Sequence, residues 1–183
     1  MLFENNIVQI RAVEPEDLEL LYKWENNPQL WSVGNTRNPY SKFALKQYIL
    51  NSSSDLYENK QLRLMMVCKQ TGATVGTVDL FDFDIHNSKI ALGLFVDESF
   101  QGNGFAKYSL QLVEEYVFEY LKLNQLYMHI SANNSASTNM FEKLNYNKTA
   151  YLQQWIKTID GYEDIVLFQL FLTDYLQKKT ASH

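Results

Sequence analysis

The chain has 183 residues, a formal net charge of −5 and a pI near 5.2, and this length fits a single domain. A domain of this size buries roughly 70% of the surface that its unfolded chain exposes. The 16 lysines and arginines are dispersed along the chain, which excludes the basic patch expected of a nucleic-acid-binding protein. The net negative charge weakly favours a cationic small molecule as a partner.

Cysteine usage and hydropathy indicate the compartment. Cys68 is the single cysteine, so no disulfide can form within the chain, as is usual for a reducing environment. The longest apolar run, IVLFQLFL, is far shorter than the roughly 20 residues of a membrane span. We therefore expect a soluble, cytoplasmic protein that does not bind a membrane.

The predicted elements mix strands and helices without a regular alternation. IVQIRAV alternates as a strand does, Pro15 begins a helix, and Ser41 caps a second helix after the loop at 26–40. This order predicts a mixed α/β, α+β-like sheet. The elements that follow are strands at 62–68, 73–83 and 90–96, a helix at 106–121, a strand at 126–130, a short helix from Asn134 or Ser135 to Leu144, and strands at 149–159 and 163–171 that meet at Asp160–Gly161.

The segment QGNGFA, at 101–106, concentrates glycine between a strand and a helix. It lacks the GxxxxGK pattern of a nucleotide-binding loop. A dinucleotide fingerprint is also disfavoured, because Lys107 stands where the third glycine would be and no acidic residue ends the next strand. A plain turn remains one interpretation. The other is a phosphate-binding loop, because free N–H groups and the dipole at a helix start favour anions.

Three segments resemble the GNAT family of N-acetyltransferases. Gln101-x-x-Gly104-x-Ala106 is similar to the family's Q/R-x-x-G-x-G/A signature, which binds the pyrophosphate of acetyl-CoA, and NNSASTNMFEKLNY resembles a second family segment. The opening RAVEPEDLELLYKWENNPQLW is similar to the branch that contains spermidine acetyltransferases and ribosomal-protein alanine acetyltransferases. The resemblance implies one GNAT domain at 1–175 with a splayed, mostly antiparallel sheet between helices, followed by a polar tail at 176–183.

The resemblance also implies a site for acetyl-CoA. It places the main chain of Phe95 and Val96 beside the pantetheine arm, where a main-chain N–H of either residue would polarise the thioester carbonyl. It places Asn134 and Ser137 near the far side of the cofactor, although Asn134 is equally well explained as a helix cap. The implied pyrophosphate loop consists of Gln101, Gly102, Asn103, Gly104, Phe105 and Ala106.

The chemistry calls for a base, because an amine with a pKa of about 10.4 must lose a proton at a cost of roughly 4.6 kcal/mol at pH 7. Asp79 and Asp82, with Asp84, are candidates on the strand VDLFDFD. Strict alternation predicts Asp82 and Asp84 on one face and Asp79 on the other. A polar strand face is the alternative explanation of these residues, and His86 in the following turn is a further candidate.

The chain departs from the family at the group that would protonate the leaving thiol. Phe141 stands where relatives usually carry a tyrosine, and Tyr108 and Tyr146 are candidate substitutes. A thiol with a pKa of about 8.5 leaves as thiolate at a cost of only roughly 2 kcal/mol near pH 7. Asn145 replaces a usual glycine, and Ala91 lies near a position that is often acidic in this branch.

The resemblance implies an N-acetyltransferase that uses acetyl-CoA, without a metal, and acetylates a primary amine by direct attack. A polyamine, a protein N-terminus and another small amine all remain possible acceptors, and a homo-oligomer is possible. The alternative is a non-catalytic acyl-CoA-binding module that has lost the tyrosine. A structural domain in which QGNG is only a turn is a third interpretation.

Overall fold

The fold is that of a computed structural model, which describes residues 3–31, 38–52, 55–158 and 161–181. Its helices and strands follow one another without the regular alternation of a doubly wound sheet. In chain order they are β1 (Val8–Ala12), α1 (Leu18–Glu25), α2 (Lys42–Asn51), α3 (Leu56–Asn59), β2 (Leu62–Cys68), β3 (Thr74–Asp84), β4 (Lys89–Val96), α4 (Phe105–Glu115), β5 (Gln125–Ser131), α5 (Ser135–Lys143), β6 (Asn147–Lys157), β7 (Tyr162–Phe171) and α6 (Leu172–Ala181).

One seven-stranded sheet organises the chain, with the strand order β1-β2-β3-β4-β5-β7-β6. Neighbouring strands are antiparallel except for β4 and β5, which are parallel. The sheet is flanked by helices, so the predicted mixed α/β class with a mostly antiparallel sheet is confirmed. A parallel pair needs a crossover connection, and α4 supplies it between β4 and β5.

The sheet splits between β4 and β5. The two strands pair only from Lys89 opposite Gln125 to Ala91 opposite Tyr127. Beyond Ala91, β4 continues to Val96 beside β3, while β5 continues to Ser131 beside β7. The residues at 92–96 and 128–131 therefore border a gap, in which alternate N–H and C=O groups of each strand lack a ladder partner.

Two hydrophobic clusters cover the two faces of the sheet. On the back face, α4 and α5 pack over a large cluster that includes Leu110, Leu126 and Phe168. On the front face, α1 and α2 pack over a smaller cluster that includes Trp24 and Met65, with Phe95 at its edge. Among the described helices, none combines the length and the apolar character needed to cross a bilayer.

Some helical elements were not predicted from the sequence. These are the single turn α3 and the helix α6, whereas the predicted helix at 106–121 is present as α4 and the π-helical segment Tyr116–Tyr120 that extends it. Residues 176–181 of the predicted polar tail belong to α6, and the proposed boundary at 175 stays a prediction. Within the predicted loop at 26–40, residues 32–37 lie outside the described residues, as does Asp160 of the predicted hairpin turn.

Candidate active site

The loop at 101–106 follows β4 and ends in α4. Gly102 and Gly104 have φ angles of 78° and 81°, and Gly104 is the N-cap of α4. Glycine is favoured at such positions because a side chain strains a left-handed backbone. The Gln101 side chain turns back and donates from Nε2 to the Val96 carbonyl at 3.0 Å, while Asn103 donates from Nδ2 to the Phe100 carbonyl at 3.0 Å. These side chains fix the loop against the end of β4.

The first turn of α4 offers donors to a ligand. Within the described part of the chain, the main-chain N–H groups of residues 104–107 have no hydrogen-bond acceptor, as expected of the first four N–H groups of a helix. The turn contains no acidic residue, and it carries the exposed Lys107. Free N–H groups, the positive end of the helix dipole and a lysine together suit a bound phosphate group. Sequence reasoning used Lys107 only to exclude a dinucleotide fingerprint.

Helix α1 contributes a wall next to the gap. The Trp24 ring meets the Phe95 ring edge-on, with centroids 5.1 Å apart. Trp24 Nε1 donates to a carboxylate oxygen of Asp97 at 2.7 Å, and the same carboxylate accepts from Ser99. Hydrogen bonds from Ser99, followed by the one from Trp24, lower the pKa of Asp97 to about 2. Asp97 therefore ties α1 to the beginning of the glycine loop.

Asp97→Ala is expected to lower the free energy of unfolding by about 1–2 kcal/mol at pH 7, because Trp24 Nε1 loses a charged acceptor. A lowered pKa in the folded state stabilises the fold above the unfolded pKa of about 3.9 and ceases to do so toward pH 2. The difference between wild type and variant, measured by urea denaturation, should therefore be constant from pH 7 to about 5 and shrink at lower pH. A difference that grows on acidification would contradict this assignment.

The three candidate acids of β3 have different surroundings. Asp79 forms an ion pair with Arg63 Nε, and Arg63 also pairs with Glu25 of α1. Burial opposes the charge of Arg63, but Asp79 and Glu25 outweigh it and raise the pKa of the guanidinium. The Arg63 guanidinium lies over the Tyr48 ring at 5.6 Å. The Asp79 carboxylate is thus already occupied by a cation of the protein itself.

The prediction that Asp79 and Asp84 lie on opposite faces is wrong. Asp79 is paired with Gly93 and Asp84 with Lys89, and both β4 residues are on the front face. The register shifts between Phe81 and Asp84, and Asp82 has a φ of 51°. A bulge adds one residue and resets the alternation that strand prediction assumes. Asp82 is the exposed residue of this bulge.

The second predicted cofactor segment begins α5. Asn134 is its N-cap, and its side-chain oxygen accepts from the Ser137 main-chain N–H at 3.0 Å. Asn134 therefore caps α5, as one of the two interpretations of this residue predicted. Both residues lie just after β5, at the same end of the sheet as the glycine loop.

Comparison with known proteins identifies the family. Residues 8–147, well over half of the chain, match the family model of the acetyltransferase (GNAT) domain. The chain belongs to the GNAT acetyltransferase family.

Relatives extend over nearly the whole chain. Spermidine N(1)-acetyltransferase of Vibrio cholerae is 21% identical over 95% of this chain and 98% of its own length. A crystal structure of spermidine N-acetyltransferase from the same organism, in complex with CoA and spermine, has a TM-score of 0.83 at 21% identity and covers 94% of this chain and 99% of its own. A dodecameric structure of that enzyme has a TM-score of 0.79 at 21% identity, with 95% and 99% covered. These structures share the fold of this chain.

Family membership makes the chain an N-acetyltransferase with acetyl-CoA as its donor, so the position of the usual GNAT tyrosine becomes important. Phe141 is 4% exposed, and its ring packs against Tyr146 at 5.0 Å and Phe168 at 6.0 Å. Tyr146 is equally buried and donates from its hydroxyl to Glu114 at 2.8 Å. Burial and the neighbouring Glu114 carboxylate raise the pKa of Tyr146 well above its usual value. This environment does not favour Tyr146 as a donor of a proton to a leaving thiol.

Proposed function

We propose that this GNAT enzyme transfers the acetyl group of acetyl-CoA to a primary amine by direct attack, with spermidine as the first acceptor to test. The observation that carries the proposal is the set of free N–H groups at 104–107, at the end of the sheet where β4 and β5 separate. The donor supplies an acetyl thioester. We likewise propose the identity of the acceptor, the oligomeric state and the role of each site residue.

The main chain would do most of the binding. We assign the pyrophosphate to the loop at 101–106 and to the N–H of Lys107, where the helix dipole favours negative charge. The free edge of β4 at Phe95 and Val96 would orient the pantetheine arm and donate a hydrogen bond to the thioester oxygen. Asn134 and Ser137 would border the cofactor from the start of α5.

Acidic residues on the front face support a cationic acceptor. Glu25, Asp79 and Asp84 bring three carboxylates to this face, although Arg63 pairs with the first two. A cationic acceptor also agrees with the spermidine in the names of the Vibrio cholerae relatives and with the negative net charge of the chain. A spermidine molecule with several positive charges would therefore meet a site of moderate negative charge.

Turnover does not require a tyrosine at the position of Phe141. Release of the thiolate near pH 7 costs roughly 2 kcal/mol, and general acid catalysis usually contributes about 10² to 10⁴ in rate. The named relatives are acetyltransferases, and they give no support to the alternative of a non-catalytic module. The proposal includes a cytoplasmic homo-oligomer, as the dodecamer of the Vibrio cholerae enzyme suggests.

The test is thiol release from acetyl-CoA by the purified protein with spermidine, an alanine-starting peptide and a simple primary amine in turn. We expect amine-dependent release, fastest with spermidine, and an acetylated amine detectable by mass spectrometry. Calorimetric titration with acetyl-CoA provides the control for cofactor binding. Tight acetyl-CoA binding without release toward any of the three amines would contradict the proposed activity.

A further inference from the structure

The proposed reaction needs a group on the front face, beside the gap, that can take a proton from the amine. The positions considered there are occupied by a side chain that is already paired or by one that cannot ionise. Asp79 is held by Arg63 and also accepts from Thr77 Oγ1 at 3.4 Å. Ala91, next to the point where β4 and β5 separate, has no ionisable side chain. The predicted alternative His86 lies exposed in the turn after β3. Beside the gap, β5 contributes the titratable side chains Tyr127 and His129.

His129 of β5 occupies the required position. Tyr127 is the last residue of β5 that pairs with β4, opposite Ala91, and His129 is the next residue of β5 on the same face. That face is the front face, which also carries Asp79. The His129 side chain is exposed, and its ring stands perpendicular to the Tyr127 ring at 5.9 Å. It therefore reaches solvent at the border of the gap, on the face that the acceptor would approach.

We propose that His129 is the catalytic base that removes a proton from the acceptor amine, and that Asp82 is the positioning residue that stabilises the protonated imidazole. This inference rests on the proposed acetyltransferase function. It gives the bulge in β3 a role, because the extra residue Asp82 is the exposed residue of the bulge and its carboxylate acts electrostatically on His129.

One charge from another strand, that of Asp82 in β3, acts on His129. Partial burial of the ring lowers the pKa of His129, while Asp82 opposes that shift, and a lowered pKa favours the neutral imidazole that can accept a proton. Strand β7 places the uncharged Leu167 opposite His129. Among the described residues, further titratable groups on these strands are Tyr127, whose ring lies near Lys89 Nζ, Asp84, which acts on Tyr127, and Glu163, which accepts from Ser131.

The proton and electron balance is simple. His129 takes one proton from the ammonium group and passes it to solvent. The freed lone pair of the nitrogen forms the C–N bond, and the C–S bond breaks with its electron pair on sulfur. The second nitrogen proton then neutralises the thiolate. The products are an amide, a thiol and one proton, and no oxidant or metal is needed.

The experiment compares His129→Gln with wild type on two acceptors. One is the best primary amine found for the wild type, which is protonated at pH 7, and the other is methoxyamine, which is already neutral. We expect kcat/KM to fall at least about 100-fold for the first acceptor and less than about fivefold for methoxyamine, because only the first needs a base. Equal losses on both acceptors, or no loss, would overturn the role of His129.

A measurement without turnover tests the pairing with Asp82. The imidazole signal of His129, assigned by its loss in His129→Gln, is titrated by NMR in wild type and in Asp82→Asn. We expect Asp82→Asn to lower the pKa of His129, and an unchanged value would remove Asp82 from the proposal. His86→Gln is the matched control and should keep wild-type kcat/KM. If the wild type acetylated no amine, the proposed function itself would fail; if it did so without needing His129, only this inference would.

Discussion

Replacement of Gly104 by valine is expected to weaken acetyl-CoA binding at least about 100-fold, which corresponds to about 2.8 kcal/mol. Gly104 has a φ of 81°, and a Cβ there would lie 3.2 Å from Cε2 of Tyr108. The added side chain would therefore strain the N-cap and press on the first turn of α4. Because the N–H groups at 104–107 all depend on that turn, the expected result is loss of the phosphate site in a folded protein. Calorimetric titration with acetyl-CoA measures the change.

Gly72 provides the matched control for this experiment. It lies in the turn between β2 and β3 with a φ of 72°, and a Cβ added there would meet no heavy atom within 4 Å. Gly72→Val introduces the same kind of backbone strain, about 1–3 kcal/mol, away from the glycine loop. We expect this variant to lose stability and to keep the wild-type affinity. Equal affinities for Gly104→Val and Gly72→Val would mean that the glycine loop is only a turn.

The glycine loop could be predicted from the sequence because its chemistry is local. Positive φ angles at Gly102 and Gly104, the helix start and the free N–H groups all follow from a few adjacent residues. The antiparallel strands β2, β3 and β4 could be predicted for a similar reason, since alternating strands and short turns indicate neighbours along the chain. The helix α6 was missed because TDYLQKKTA has few apolar residues and resembles a polar tail.

The candidate base could not be predicted in the same way, because its environment depends on residues that are distant in sequence. Asp79 looks free in the sequence, and only the fold brings Arg63 against it and Glu25 against Arg63. No glycine marks the bulge at Asp82 in the sequence. Its one extra residue moves every later side chain of the strand to the opposite face. One feature of the sequence indicated His129: it is a histidine within the strand YMHIS, just before the segment that resembles the family.

The fold gives Phe141 a packing role that the sequence did not show. Its buried ring packs against Tyr146 and Phe168 in the back cluster, so its place in the fold is explained without any proton transfer. The same packing explains why Tyr146 looked like a substitute donor: it is near the right position but is directed at Glu114. The Tyr146 hydroxyl instead stabilises the packing on the back face of the sheet through its hydrogen bond to Glu114 of α4.

Glu114→Ala is expected to lower the free energy of unfolding by about 3 kcal/mol, because it leaves the buried Tyr146 hydroxyl without its carboxylate acceptor and removes one of the contacts of Lys178. Glu114 is 5% exposed on α4, where it accepts from Tyr146 at 2.8 Å and from Lys178 of α6 at 2.9 Å. Urea denaturation at pH 7 measures the change. Tyr146→Phe, which leaves the contact between Glu114 and Lys178 in place, should cost only about 1 kcal/mol.

Because of where Glu114 lies, its replacement should change the stability of the protein without changing its affinity for acetyl-CoA. It lies at the C-terminal end of α4, whereas the phosphate site proposed for the first turn lies at the N-terminal end. Folded Glu114→Ala should therefore bind acetyl-CoA with an affinity within about threefold of wild type, and Gly104→Val should show the opposite pattern. If Glu114→Ala instead lost acetyl-CoA affinity without losing stability, the buried network would have to act on the site directly. A stability change below about 0.5 kcal/mol would show that water replaces the carboxylate between α4 and α6.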